Sequence, residues 1–130
     1  MRVRLTEARV GRLATVTSEG RPHVVPCCFV LDRDVVYTGV DDVKPKASLA
    51  LRRLDNLAAH PEASLLVDHY DDDWSTLWWI RVDGAGRVVT DAAERPHAVE
   101  LLADQYPQYA AEGALDAVIA IEIHRWRAWP

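Results

Sequence analysis

The chain has 130 residues, 49% of them hydrophobic and 27% charged, with a formal net charge of −5. That balance fits one globular domain over residues 1–130 and excludes a disordered chain. It also excludes the broad basic surface that nucleic acid or an anionic membrane would need, so any anion must be captured by a local cluster.

In chain order, a short helix is expected from Thr6 to about Val10, with Thr6 as its cap. "RLATVT" (12–17) followed by "SEGRP" reads as strand and turn. "HVVPCCFVL" (23–31) reads as one strand buried on both faces, with Pro26 marking an edge or a bulge. "DRD" then turns tightly into "VVYTGV" (35–40), which predicts a hairpin. Ala47, Ala50, Leu51, Leu54, Leu57 and Ala58 recur at helical spacing, with Pro45 at the first helical position and His60-Pro61 at the end. "ASLLVDHY" (63–70) is a strand, and "DDDW" is a loop. "TLWWIRVDGAGRVV" (76–89) is a long strand, broken or bulged near Gly84 to Gly86. A second long helix runs from about Glu94 to Tyr106. The closing "LDAVIAIEIHRWRAW" alternates, with Val118, Ala120, Glu122 and His124 on one side and Ile119, Ile121, Ile123 and Arg125 on the other. Six short antiparallel strands with flanking helices are most economically a mainly β, closed or nearly closed barrel.

Several function classes fall away. No apolar run reaches about 18 residues, so no spanning helix is expected. "MRVRLTEARVGRLATV" lacks a signal-peptide core followed by a cleavage site, and a cytoplasmic location is expected. The cysteines, Cys27 and Cys28, are adjacent and poor disulfide partners, and no basic residue adjoins them to make a nucleophile. The acids of "YDDDW" lack calcium-loop spacing, and no metal site is expected. No Ser-His-Asp or Cys-His pairing stands out, so no catalytic side chain is assigned.

One stretch resists a purely structural reading. In "DDVKPKASLALRRLDNLAAHP" (41–61), Lys44 and Lys46 sit around the first turn of a helix, whose amino end disfavours cations. They could pair with Asp41 and Asp42 as a solvated cluster. Alternatively, they and the helix N–H groups could grip a phosphate, with Arg53 two turns further along about the same face.

The stretch from Leu13 to Tyr70, with its A-T-x-x-x-x-G-x-P pattern, apolar strand, Tyr37-Thr38, Lys-containing turn, N-x-x-x-x-P and "SLLV", resembles the pyridoxamine 5′-phosphate oxidase-like flavin-binding split barrels. "HYDDDWSTLWWIRVDGAGRV" and the terminal "RWRAW" are similar to the actinobacterial branch that uses the deazaflavin coenzyme F-420 in place of FMN. The resemblance implies a six-stranded split barrel, FMN-binding split-barrel type. It also implies a homodimer with cofactor sites between subunits, acting on a small-molecule substrate, with no nucleic-acid or membrane partner. It lays the strand of His23, Val25 and Pro26 along the ring, sets Tyr37 and Thr38 at its border, and gives Lys44, Lys46 and Arg53 the phosphate. Where the flavin oxidases carry adjacent Arg-Lys, this chain has Lys-Pro-Lys, and Lys46 is favoured for the direct contact. Trp79 is a candidate ring cover and Trp126 a candidate terminal contact, each also readable as packing. An F-420-dependent oxidoreductase is expected; the alternatives are an FMN-dependent relative or a carrier that binds F-420 or flavin without turnover. Arg52, Arg53, Arg81 and Arg87 are candidates for holding the coenzyme's acidic tail.

Overall fold

The computed structural model describes residues 1–41, 47–111 and 113–130. The elements are α1 (Arg2–Glu7), β1 (Gly11–Val16), β2 (Pro22–Cys27), β3 (Phe29–Asp32), β4 (Val35–Asp41), α2 (Ala47–Ala59), β5 (Glu62–His69), β6 (Trp78–Val88), α3 (Glu94–Gln105) and β7 (Leu115–Trp129). Short 3-10 turns occupy Trp74–Thr76 and Pro107–Ala110.

The strands form one antiparallel sheet in the order β2-β1-β5-β6-β7-β4-β3. Its two edges, β2 and β3, are separated in the chain by Cys28 alone. A sheet whose opposite edges are joined by one residue must roll until those edges meet, and this makes the split barrel. The expected single strand 23–31 is therefore two, and the sheet has seven strands, not six. The split frees backbone groups that buried structure must satisfy. Thr38 donates its hydroxyl to the Cys28 carbonyl at 2.7 Å, and the Phe29 N–H donates to the Tyr106 hydroxyl at 3.0 Å.

Two cores flank this sheet. Leu13, Phe29, Val36, Leu65, Val67, Ile80, Val82, Ile119 and Ile121 fill the barrel, closed by Leu5 of α1 and Leu57 of α2. Tyr37, Ala98, Leu102, Tyr106, Leu115, Val118 and Ala120 pack beneath α3 on the outer side. β7 is thus buried on both faces because alternate residues serve different cores.

The β6–β7 ladder shifts register between Asp83 and Gly84, pairing them with Arg125 and Ile123. His124 is therefore the extra residue of a bulge on β7. A side chain on Gly84 would put Cβ 2.0 Å from the Glu122 carbonyl oxygen, so the closest approach of the two strands demands glycine. The bulge also corrects the expected alternation: Arg125 pairs with outward-facing Asp83, not with the Ile119–Ile123 side.

The helices differ from expectation where tertiary contacts decide. The first runs Arg2–Glu7 rather than from Thr6, and its N-cap Met1 makes no side-chain capping bond. Fully buried Leu5 plugs the barrel, Arg2 lies 4.9 Å from the Trp126 ring centroid, and Arg4 lies 4.7 Å from that of Trp78. In α2, Ala58 is exposed while Asn56 is 3% exposed and donates to the Thr15 hydroxyl at 3.0 Å. Pro45 lies outside the described residues. α3 begins where the Asp91 carboxylate accepts the N–H groups of Ala93 and Glu94. Among the described residues, no helix is long and apolar enough to cross a membrane.

Candidate functional site

The split that closes the barrel also opens a cleft. About 280 Å³ in volume, it is walled by Val10, Pro26, Cys27, Cys28, Gly39, Arg53 and Tyr109. β2, β4, α2 and the turn after α3 thus converge at Cys28, the residue that joins the two sheet edges. β2 is an edge strand, so its backbone groups on the side away from β1 have no strand partner in the sheet.

Arg53 supplies the charge on the described wall of this cleft. It is half-buried, and among the described residues it has no ion-pair partner. Cys27 is no nucleophile here. Burial pushes its thiol up to about 11, against the smaller downward pulls of Thr38 and Arg53. Among the described residues, no group of three or more His, Cys, Asp or Glu side chains could hold a metal ion.

The residues singled out from sequence fall in different places. Pro26 and Arg53 wall the cleft, next to Cys27, Cys28 and Gly39. His23 and Val25 alternate with Pro26 on β2 and pair with Thr15 and Leu13. Val25 packs against the barrel core, and the buried Nδ1 of His23 has no hydrogen-bond partner among the described residues. Thr38 is fully buried, with its hydroxyl committed to the Cys28 carbonyl.

Tyr37 belongs to the second core, where its hydroxyl donates to Glu94 Oε2 at 2.7 Å. Burial and this bond push Tyr37 up to about 12, and its hydroxyl proton is committed to Glu94. Glu94 is itself held down at about 2, chiefly by Arg87, which donates to both carboxylate oxygens at 2.7 and 2.9 Å.

Neither Trp79 nor Trp126 lines the cleft within this chain. Trp79 lies on the outer sheet face opposite Trp129, while Trp126 packs at the barrel end beneath Arg2. Lys44 and Lys46 lie outside the described residues. Of the four arginines offered for an acidic tail, Arg87 is committed to Glu94 and Arg81 to Asp83, leaving Arg52 exposed and Arg53 in the cleft.

Sequence reasoning missed Val10 and Tyr109, whose places on the cleft wall arise only from folding. Asn56 was missed as well: it follows Asp55 in the chain, and only the fold shows which of the two turns inward.

A rolled antiparallel sheet, split at one residue and flanked by helices, is the architecture of the split barrels. The model for the family described as pyridoxamine 5′-phosphate oxidase matches residues 1–130, and the chain belongs to this flavin-binding family. Among solved structures it is similar to HutZ, the heme storage protein from Vibrio cholerae, at 15% identity and a TM-score of 0.72, covering 95% of this chain and 86% of that one. It is also similar to the FAD binding protein from Mycobacterium smegmatis, at 17% identity and a TM-score of 0.65, covering 98% and 88%. A heme binding protein from the same organism matches at 20% identity and a TM-score of 0.75, covering 98% of this chain and 50% of that one. At these identities the likeness is one of fold. Among curated proteins no match is found.

Proposed function

We propose that the protein is an F-420-dependent oxidoreductase that works as a homodimer in the cytoplasm, with its cofactor in the cleft at the split. The observation that carries this reading is Arg53, a half-buried guanidinium without a carboxylate partner among the described residues, on the wall of a cleft beside an open strand edge. An anionic group satisfies Arg53, and the unpaired backbone of β2 suits the polar edge of a flat ring. Lys44 and Lys46, which join β4 to α2 in the chain, add charge to the same grip.

When bound, the coenzyme supplies hydride transfer to or from a small organic substrate. The chain's own part is to bind and orient. Arg53 anchors the anion, Pro26 offers a rigid apolar wall, and the Thr38–Cys28 bond fixes the corner where β2 ends. The dimer is supported by the outer face of β2, β1, β5 and β6, which α3 does not cover; Val24 at its β2 edge is 61% exposed, and Trp129 of β7, across from Trp79, is 49% exposed.

A second reading, a carrier that binds F-420 or flavin without turnover, is favoured by one observation. The only titratable groups on the described cleft wall are Arg53, Tyr109 and two thiols, of which Cys27 is pushed up to about 11. An FMN-dependent oxidoreductase is the remaining alternative. Reduced F-420 mixed with the protein and a panel of enones, nitro compounds and quinones tests the activity. Acceptor-dependent reoxidation supports the enzyme, and tight binding without reoxidation favours the carrier. FMN or hemin binding more tightly than F-420 overturns the cofactor assignment, hemin being included because HutZ stores heme.

A further inference from the structure

Arg81 of β6 and Arg127 of β7 are directly opposite one another in the ladder, an arrangement that like charges disfavour. Arg81 turns onto the Asp83 carboxylate, at 2.8 and 3.1 Å, which leaves Arg127 without an acid among the described residues. Arg12 of β1 stands in the same row, across Leu66 of β5, and it too has no ion-pair partner among the described residues. At about 4.8 Å per strand, the row from Arg12 to Arg127 spans roughly 14 Å of the uncovered sheet face. The outward position two residues before Arg81 holds Trp79, opposite half-exposed Trp129. An acidic protein thus concentrates unneutralised cations and exposed aromatic surface on one face.

The complementary surface is on the same chain. Between β5 and β6, Tyr70 and Trp74 are 66% and 70% exposed, unusual for side chains of this size. Three carboxylates, Asp71, Asp72 and Asp73, lie between them. The turn is already shaped: Asp71 accepts the Asp73 N–H, Asp73 accepts the N–H and hydroxyl of Ser75, and the Trp74 indole N–H points to the Tyr70 hydroxyl at 3.5 Å. Pre-shaped, exposed aromatics are the usual anchors of protein interfaces because little side-chain freedom is lost on docking.

We propose that the outer sheet face of one copy docks the Tyr70–Trp74 turn of a second copy, with the turn's carboxylates against the Arg12–Arg127 row and its aromatics on the exposed apolar surface beside it. Two-fold symmetry makes each contact twice, so one chain satisfies both halves. A free oligoanion would neutralise the row, yet it would leave Tyr70 and Trp74 without a partner. The proposal rests on the dimer part of the functional reading and names the residues that set it.

The test is sedimentation equilibrium of the full chain at low and high salt, with near-ultraviolet circular dichroism to verify folding. Asp71 and Asp73 are left intact because their carboxylates hold the turn. Wild type is expected to dimerise, more weakly at high salt. Asp72→Lys and Arg12→Glu/Arg127→Glu are each expected to weaken the dimer about tenfold or more. An equimolar mixture of the two variants is expected to recover wild-type affinity, since the heterodimer again pairs opposite charges at both contacts. Trp74→Ala, at a site with little packing to lose, should weaken the dimer without charge change. Wild-type affinity in all three variants overturns the proposal while leaving the dimer intact. A monomeric wild type overturns both, and salt-sensitive binding of oligoglutamate by that monomer would reassign the row to a polyanionic ligand.

Discussion

Replacing Glu94 with Gln removes the charge at the centre of the network that ties α3 to the sheet. The carboxylate accepts two bonds from Arg87 and one from Tyr37. A carboxamide keeps one acceptor oxygen and turns an N–H₂ toward the guanidinium, donor against donor. Glu94 is held at about 2 in the fold against an ordinary 4.5, which at full weight is about 3 kcal/mol of linkage at 1.36 per pH unit. Arg87, however, has 41% of its side chain exposed, and solvent screening reduces the expected loss to about 1–2 kcal/mol. Because the folded pKa is depressed, this contribution is fully present above pH 4.5 and disappears as the pH falls toward 2. Urea unfolding at a series of pH values from 7 down to 2 measures it. At neutral pH the variant's midpoint should fall by roughly 0.5–1 M, taking a slope of about 2 kcal/mol/M. The gap between the two proteins should then close through the acid range. Two curves that stay parallel from pH 7 to pH 2 would refute the reasoning, because the lost stability would then not reside in the ionised carboxylate.

Three further outcomes follow from packing and charge. Gly84→Ala drives Cβ into the Glu122 carbonyl at 2.0 Å and should lower stability by at least about 1–3 kcal/mol, seen in thermal melts; an unchanged melting temperature would mean the β6–β7 approach is looser than described. Asn56→Ala strands the buried Thr15 hydroxyl and should destabilise by about 1–3 kcal/mol in urea unfolding, with a wild-type midpoint as the contrary result. Lys46→Ala should weaken F-420 or FMN by roughly 1–3 kcal/mol in equilibrium dialysis, and unchanged affinity would place the phosphate grip elsewhere.

Much of this architecture is written locally. The β1 alternation of Leu13 and Thr15 against Arg12 and Ala14, the Arg33-Asp34 turn and the Leu54–Leu57 stripe each carry their periodicity within a few residues, and each appears near its expected place. What was hidden depends on the sheet's closure. "HVVPCCFVL" is apolar on both faces whether or not it breaks, so nothing in it marks Cys28 as the point where one edge becomes the other. The bulge at His124 inverts the facing of Arg125, because an inserted residue shifts every later side chain to the opposite face. Helix α1 lies earlier than its capping signal suggests because a barrel end needs Leu5 more than the helix needs a cap. Of the residues singled out from sequence, Pro26 and Arg53 line the candidate cleft, whereas Tyr109 reaches it from the turn after α3 and could be found only by folding the chain.

The central claim is that an anionic, flavin-type cofactor is held in the cleft at the β2–β3 split by Arg53. Parallel fluorescence titrations of wild type and Arg53→Ala with F-420, FMN and FAD test it most directly. The account predicts that wild type prefers F-420 and that the variant binds it about tenfold or more weakly, as befits a lost charge-assisted hydrogen bond, while its unfolding midpoint stays unchanged. Equal F-420 affinity in the two proteins would contradict it.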